Sequence, residues 1–168
     1  MTMQRRSIGS ELTNEQIGAR LQRLEDIESI KQLKARYCAF CDENYNPQGI
    51  TSLFTDDGVW DGGNLGRAEG HAEIAKFFER APSAFSFAIH NVMNPIIEVD
   101  GDRATGHWYL LQPLTRRSRT GEEGAMWLAG RYEDEYVRIG GEWKFKRLKF
   151  ITRVLAAYED GWAKGRRE

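Results

Sequence analysis

His71, His90 and His107 are the three side chains best suited to exchange protons near neutral pH, and a neutral imidazole can take a proton from carbon. No combination of the three shows metal-ligand spacing. Cys38 and Cys41 form a lone C-x-x-C inside a helical pattern. Structural zinc wants four ligands, and a redox C-x-x-C opens a helix after a strand, so the pair reads as two small packed thiols. The chain has no nucleophile elbow. DGGNLGRAEG (61–70) is glycine-rich but lacks the G-x-x-x-x-G-K-[ST] phosphate cradle, and reads as a hairpin and loop. Arg116, Arg117 and Arg119 form a basic cluster that reads as a solvated turn. The expectation is chemistry without a metal or an organic cofactor.

The elements that must position these residues follow from periodicity. Residues 1–12 read as a flexible polar tail, and Thr13 with Gln16 fits a capping box. Ile17, Leu21, Leu24, Ile27, Ile30, Leu33, Tyr37 and Phe40 then recur at three and four, which predicts a helix of about 25 residues with a drifting apolar stripe. Asn46-Pro47-Gln48-Gly49 is turn chemistry, a helical turn is expected over 49–54, and a brief strand around Val59 and Trp60. A second helix over 71–81 turns Ile74, Phe77 and Phe78 inward, and Pro82 is expected to stop it.

The remainder reads as strands: 85–100 with an irregularity at Pro95, 103–114 ending at Pro113, 125–140 and 142–158. Residues 161–168 read as a polar tail. Helices followed by long antiparallel strands argue for a single α+β domain over 13–160, its sheet wrapped over the helices. Trp60, Phe87, Trp108, Tyr109, Tyr132 and Phe150 are spread over the strands and suit walls for a flat, largely apolar small molecule.

Composition narrows the function classes. Hydrophobic residues make up 40% and charged residues 29% of 168, enough for a real core. A net charge of −1 gives no reason to expect nucleic acid or an anionic membrane as partner. No apolar run approaches the ~20 residues that cross a bilayer, and Arg5 and Arg6 are not followed by a signal-like apolar stretch. A cytoplasmic location is expected.

Five strings in order, LEDIESIKQLKARYCAFCDENY, LFTDDGVWDGG, GHAEIAKFF, AIHNVMNPIIEVDGDRATGHWYL and GRYEDEYVRIGGEWKFKRLKF, resemble the SnoaL-like members of the nuclear transport factor 2-like superfamily over residues 20–158. The resemblance is strongest to its lyases: bile acid 7α-dehydratases, scytalone dehydratases and hexachlorocyclohexane dehydrochlorinases. It implies a cystatin-like conical α+β barrel, with long N-terminal helices packed in a highly curved, mostly antiparallel sheet and a pocket at the open end. It also implies a homo-oligomer, a trimer or a dimer, built through the sheet.

The resemblance further implies roles for four residues. Asp42 and His90 stand where those lyases place an aspartate at the end of the first long helix and a histidine on the strand after the second. A carboxylate on one imidazole nitrogen fixes the tautomer and stabilises the imidazolium formed when the other removes a proton from carbon. Tyr37 matches a pocket tyrosine able to hydrogen-bond a developing oxyanion or leaving oxygen, although it also continues the apolar stripe. Tyr37 and Asp42 are separated by about 140° and about 7.5 Å on an ideal helix, so they do not share a face. Arg153 matches a pocket-side arginine. Two departures stand out: Leu148 replaces the dehydrochlorinase arginine, and Gln112 replaces the acidic residue of the bile acid dehydratases.

The function expected is cofactor-independent elimination or isomerisation on a small cyclic substrate. Ketosteroid-type isomerisation or polyketide cyclisation with Asp42 itself as base is one alternative. A structural subunit of a ring-hydroxylating dioxygenase and a ligand carrier are the others.

Overall fold

The computed structural model describes residues 12–164. Thr13 opens α1 (Asn14–Asp42) through the expected reciprocal cap, its hydroxyl accepting from the Gln16 N–H while the Gln16 side chain accepts from the Thr13 N–H. The drift of the apolar stripe is where the helix leaves the domain. Residues 14–25 are all exposed, Ile17, Leu21 and Leu24 at 50–66%, and the buried stripe begins at Asp26 and Ile30.

The chain reverses through Asn44 and Tyr45, both at positive φ, into α2 (Pro47–Ser52). This helix starts two residues before the expected position. Asn46 caps it by accepting from the Gly49 N–H, and Pro47 sits where its missing N–H costs nothing. α3 (Gly70–Ala84) passes through Pro82 instead of stopping there. The proline forfeits one carbonyl bond, but the end is near and the Phe85 N–H closes on the Ala81 carbonyl. Ile74 and Phe78 are buried and Phe77 is half-buried.

Seven strands form one sheet: β1 (Phe54–Asp61), β2 (Arg67–Glu69), β3 (Phe85–Ala88), β4 (Asn91–Asp100), β5 (Arg103–Arg117), β6 (Glu123–Ile139) and β7 (Glu142–Ala157). The order is β2-β1-β7-β6-β5-β3, with β4 also on β5; among the described residues only β1 and β7 pair in parallel. The helices pack against the inner face of this curled sheet, an α+β cystatin-like architecture. A short α4 (Gly161–Lys164) lies within the expected C-terminal tail, where Trp162 meets Trp127 edge-on. Residues 1–11 and 165–168, the rest of the two tails, fall outside the described residues.

Two expected strand limits move. The segment 85–100 is two strands, broken at Ile89 and His90, and it has a second irregularity between Met93 and Ile96 where Asn94 takes positive φ. β5 continues through Pro113 to Arg117. The Pro113 carbonyl accepts from the Ile89 N–H, so the side of the proline lacking a donor faces the break between β3 and β4, where no ladder bond is lost.

A bulge interrupts the β6–β7 ladder where the register shifts between Ala129 and Gly130, and a second shift lies between Glu135 and Tyr136. A Cβ on Gly130 would collide with the Ile151 carbonyl and lie 2.7 Å from the Phe150 ring. Gly130→Ala is therefore expected to destabilise by about 1–3 kcal/mol in denaturant melts, whereas Gly124→Ala, which meets open space, stays within about 0.5 kcal/mol. Equal melts for the two variants would refute this reading of the bulge.

Ionic contacts also hold the layers together. Lys34 and Asp134, both fully buried, meet at 2.8 Å, and the lysine sits 3.2 Å from the Tyr132 ring centroid. Tyr136 donates to Asp134 at 3.0 Å and accepts from Trp108 at 3.1 Å. Where α1 enters the domain, Asp26 accepts from Arg138 and from Trp143 at 3.0 Å.

Candidate active site

Alternation along β5 turns Leu110, Gln112 and Leu114 inward. With α1, α3 and the concave sheet, they enclose a cavity of about 580 Å³, the size of a small-molecule site. Trp60, Phe77, Phe78 and Phe150 supply apolar walls, and Tyr37, Tyr45 and Tyr132 add phenols. Phe87 and Tyr109, expected in such a wall, instead lie exposed, because β5 turns its odd-numbered residues outward and β3 pairs Phe87 with Thr115. A second cleft of about 590 Å³ is walled by charged residues such as Arg23, Glu98 and Lys146, and no histidine lines it.

His90 lies in the gap between β3 and β4, its side chain 7% exposed and lining the cavity. Leaving the ladder frees its backbone N–H, which donates to both Asp42 oxygens at 3.0 and 3.3 Å. Its ring Nδ1 lies 2.7 Å from Asp42 Oδ1. A carboxylate only accepts, so a neutral imidazole in this contact carries its proton on Nδ1 and its lone pair on Nε2. Asp42 is the last residue of α1 and its side chain is 31% exposed. A helix C-terminus is the unfavourable end for a carboxylate, so helix capping does not account for Asp42; the contacts with His90 do. The order is cavity, imidazole, carboxylate, solvent.

Tyr37 and Asp42 are on different faces of α1, and Tyr37 reaches the cavity with Cys41, one turn further on. The Tyr37 oxygen accepts from Trp60 Nε1 at 2.9 Å. Burial, reinforced by Cys41 and Tyr132, pushes its phenol well above the usual range, so it remains a neutral donor. Burial likewise raises the Cys38 thiol to about 11 and Cys41 well above its ordinary value, which keeps both as thiols. Gln112, where bile acid dehydratases carry an acid, is buried on the cavity wall, and burial pushes the phenol of Tyr45, another lining residue, upward.

Arg153 is not on the cavity side. Phe150 and Leu155 both line the cavity at an odd spacing, which strict alternation forbids. The extra residue of the β6–β7 bulge absorbs the odd step, and Arg153 falls within it, unpaired between Thr152 and Val154 and exposed. The guanidiniums that do line the cavity are Arg80 and Arg116. Arg116 was legible as the next inward position after Leu110, Gln112 and Leu114, had Pro113 not been read as the strand's end. Leu148 is fully buried, and Arg147 points away to bond Asp61 at 2.8 Å. His71 Nε2 lies 3.0 Å from the Phe54 carbonyl, and His107 is exposed on the outer face. Among the described residues, no three His, Cys, Asp or Glu side chains converge as metal ligands.

Comparison with known proteins agrees with this architecture. A Novosphingobium aromaticivorans DSM 12444 protein named for scytalone dehydratase is 26% identical, with 81% of this chain and 89% of that one covered and a TM-score of 0.71. An NTF2-like protein with a cystatin-like fold from N. aromaticivorans is 26% identical over 90% of this chain and 94% of that one, at a TM-score of 0.64. The hexachlorocyclohexane dehydrochlorinase LinA-type3 from Novosphingobium barchaimii LL02, 22% identical over 82% and 92% of the two chains, shares the fold at a TM-score of 0.73. The family model of the SnoaL-like domain matches residues 22–149, from the exposed half of α1 to the middle of β7. The chain belongs to the SnoaL-like domain family.

Proposed function

We propose that the protein is a cofactor-independent lyase that dehydrates a small, largely apolar cyclic substrate. The observation that carries this reading is the Asp42–His90 contact beside an aromatic cavity that His90 lines, an arrangement suited to an Nε2 that accepts a proton. His90 Nε2 takes a proton from carbon, and the C–H electron pair becomes the new C=C bond. The adjacent C–O bond breaks, and the imidazolium returns the proton so that the oxygen leaves as water. Asp42 holds the tautomer and balances the transient imidazolium charge, and the neutral Tyr37 phenol hydrogen-bonds the departing oxygen.

Two observations favour elimination over the alternatives. Asp42 is bonded to His90 behind the wall and does not line the cavity, which disfavours an aspartate base of the isomerase or cyclase kind. A cavity of about 580 Å³ beside an intact His–Asp pair disfavours a purely structural subunit.

Proton abstraction is testable with 2-tetralone, a bicyclic ketone with an acidic C–H. In D₂O the wild type is expected to exchange that hydrogen, followed by NMR, and His90→Gln to abolish the exchange. Binding of the ketone without His90-dependent exchange would refute the reading. The oligomer implied by the resemblance is proposed on the outer sheet face, where Met93, Ile96, Tyr109 and Leu111 are exposed together. Sedimentation should give a multiple of 19.3 kDa, and Tyr109→Lys should lower it; a monomeric wild type excludes that contact.

A further inference from the structure

The cavity wall is uneven in charge. Among the described residues its lining contains two guanidiniums, Arg80 and Arg116, and no carboxylate. Asp42 stands behind His90, and Asp134, which does not line the cavity, is fully buried and held by Lys34. Among the described residues neither Arg80 nor Arg116 forms an ion pair, although neighbouring Arg117 pairs with Glu123 at 2.9 Å. Both residues are exposed, whereas Gln112 and the His90 side chain are nearly buried, so the two cations mark the mouth and the imidazole lies deeper.

The backbone brings the two arginines to the same end. Arg116 pairs in register with Phe85, the residue that closes α3, and Arg80 lies five residues earlier on that helix. Arg116 is four residues beyond Gln112 along β5, about 13 Å at the strand repeat. Two like charges at the open end of a low-dielectric cone repel each other unless an anion lies between them, and they focus the field on whatever enters. Guanidinium groups recognise carboxylate, sulfate and phosphate through charge-assisted hydrogen bonds.

We infer that the substrate is an anion: a flat ring system that reaches the dyad and carries an acidic group held by Arg80 and Arg116 at the mouth, on the order of 10 Å from the reacting carbon. The inference rests on the reading of this cavity as the substrate site. It assigns Arg80 and Arg116 as specificity-determining residues with no part in the proton transfer.

Direct binding of 2-anthracenecarboxylate and its methyl ester, followed by ligand fluorescence, separates the two claims. The acid is expected to bind about tenfold tighter than the ester at low salt, and the advantage should shrink as salt rises. The Arg80→Gln/Arg116→Gln variant should bring acid and ester to within about twofold, with ester binding and thermal melting unchanged. Arg153→Gln, outside the cavity, should keep the preference. Equal binding of acid and ester by the wild type, no binding of the acid, or a preference that survives the double substitution would overturn the inference. Loss of tetralone exchange with the acid preference intact would instead remove the elimination reading alone.

Discussion

Replacing His90 with alanine is expected to lower kcat/KM by about 10²–10⁴, which is roughly 3–5 kcal/mol of transition-state stabilisation. KM should move little, because Trp60, Phe77, Phe78 and Phe150 provide the apolar contact and the imidazole contributes mainly when the proton moves. Asp42→Asn should lose about as much as His90→Ala while preserving shape. An amide can present N–H to Nδ1, which favours the tautomer with the proton on Nε2 and removes the lone pair that faces the cavity. Steady-state rates of tetralone exchange for the three proteins decide the matter. A His90→Ala rate within tenfold of wild type removes the histidine from the mechanism, and an unaffected Asp42→Asn removes the orienting role of the carboxylate.

The largest expected effect on stability lies beneath the cavity. Lys34→Met leaves Asp134 in a fully buried site with only the Tyr136 hydroxyl to satisfy it, and Asp134 Oδ1 already lacks a partner. Burial pushes the Asp134 carboxyl upward, and the attraction and hydrogen bond of Lys34 are the main forces pulling it back. Removing the lysine is expected to cost about 3–5 kcal/mol, a fall in Tm of about 10 °C or more for a domain of this size. The double variant Lys34→Met/Asp134→Leu should recover most of that loss, since an apolar pair of similar volume carries no desolvated charge. Thermal melts of the three proteins check this. A single variant within about 2 °C of wild type, or a double variant less stable than the single, would show that the ion pair is not the governing contact.

The helices and long strands were legible because period 3.6 and period 2 write themselves plainly into an amphipathic chain. Prolines caused two of the misplaced limits. Pro82 sits close enough to a helix end to be absorbed, and Pro113 faces a gap in the neighbouring strands, a fact no local pattern contains. The buried ion pair was written in the same periodicities and went unread. Lys34 falls four residues after Ile30 and four before Cys38, and Asp134 lies between the inward Tyr132 and Tyr136. Within the candidate site, the resemblance led to both members of the Asp42–His90 contact, 48 residues apart in sequence. It misdirected the arginine, because an inward position on β7 depends on a bulge whose register is set by another strand. The charges at the mouth required the fold itself.

The buried half of α1 behaves mechanically as a strut clamped at both ends. Asp26 fastens one end to Arg138 and Trp143, and Asp42 fastens the other to His90. Sixteen residues of helix span about 24 Å between the clamps, and a hydrogen-bonded helix resists compression along its axis far better than it resists sliding. The separation of carboxylate and imidazole is therefore a tolerance set partly by the far anchor. A change at Asp26, about 24 Å along the helix from Asp42, would translate the rod and misalign the dyad without altering a residue that lines the aromatic cavity.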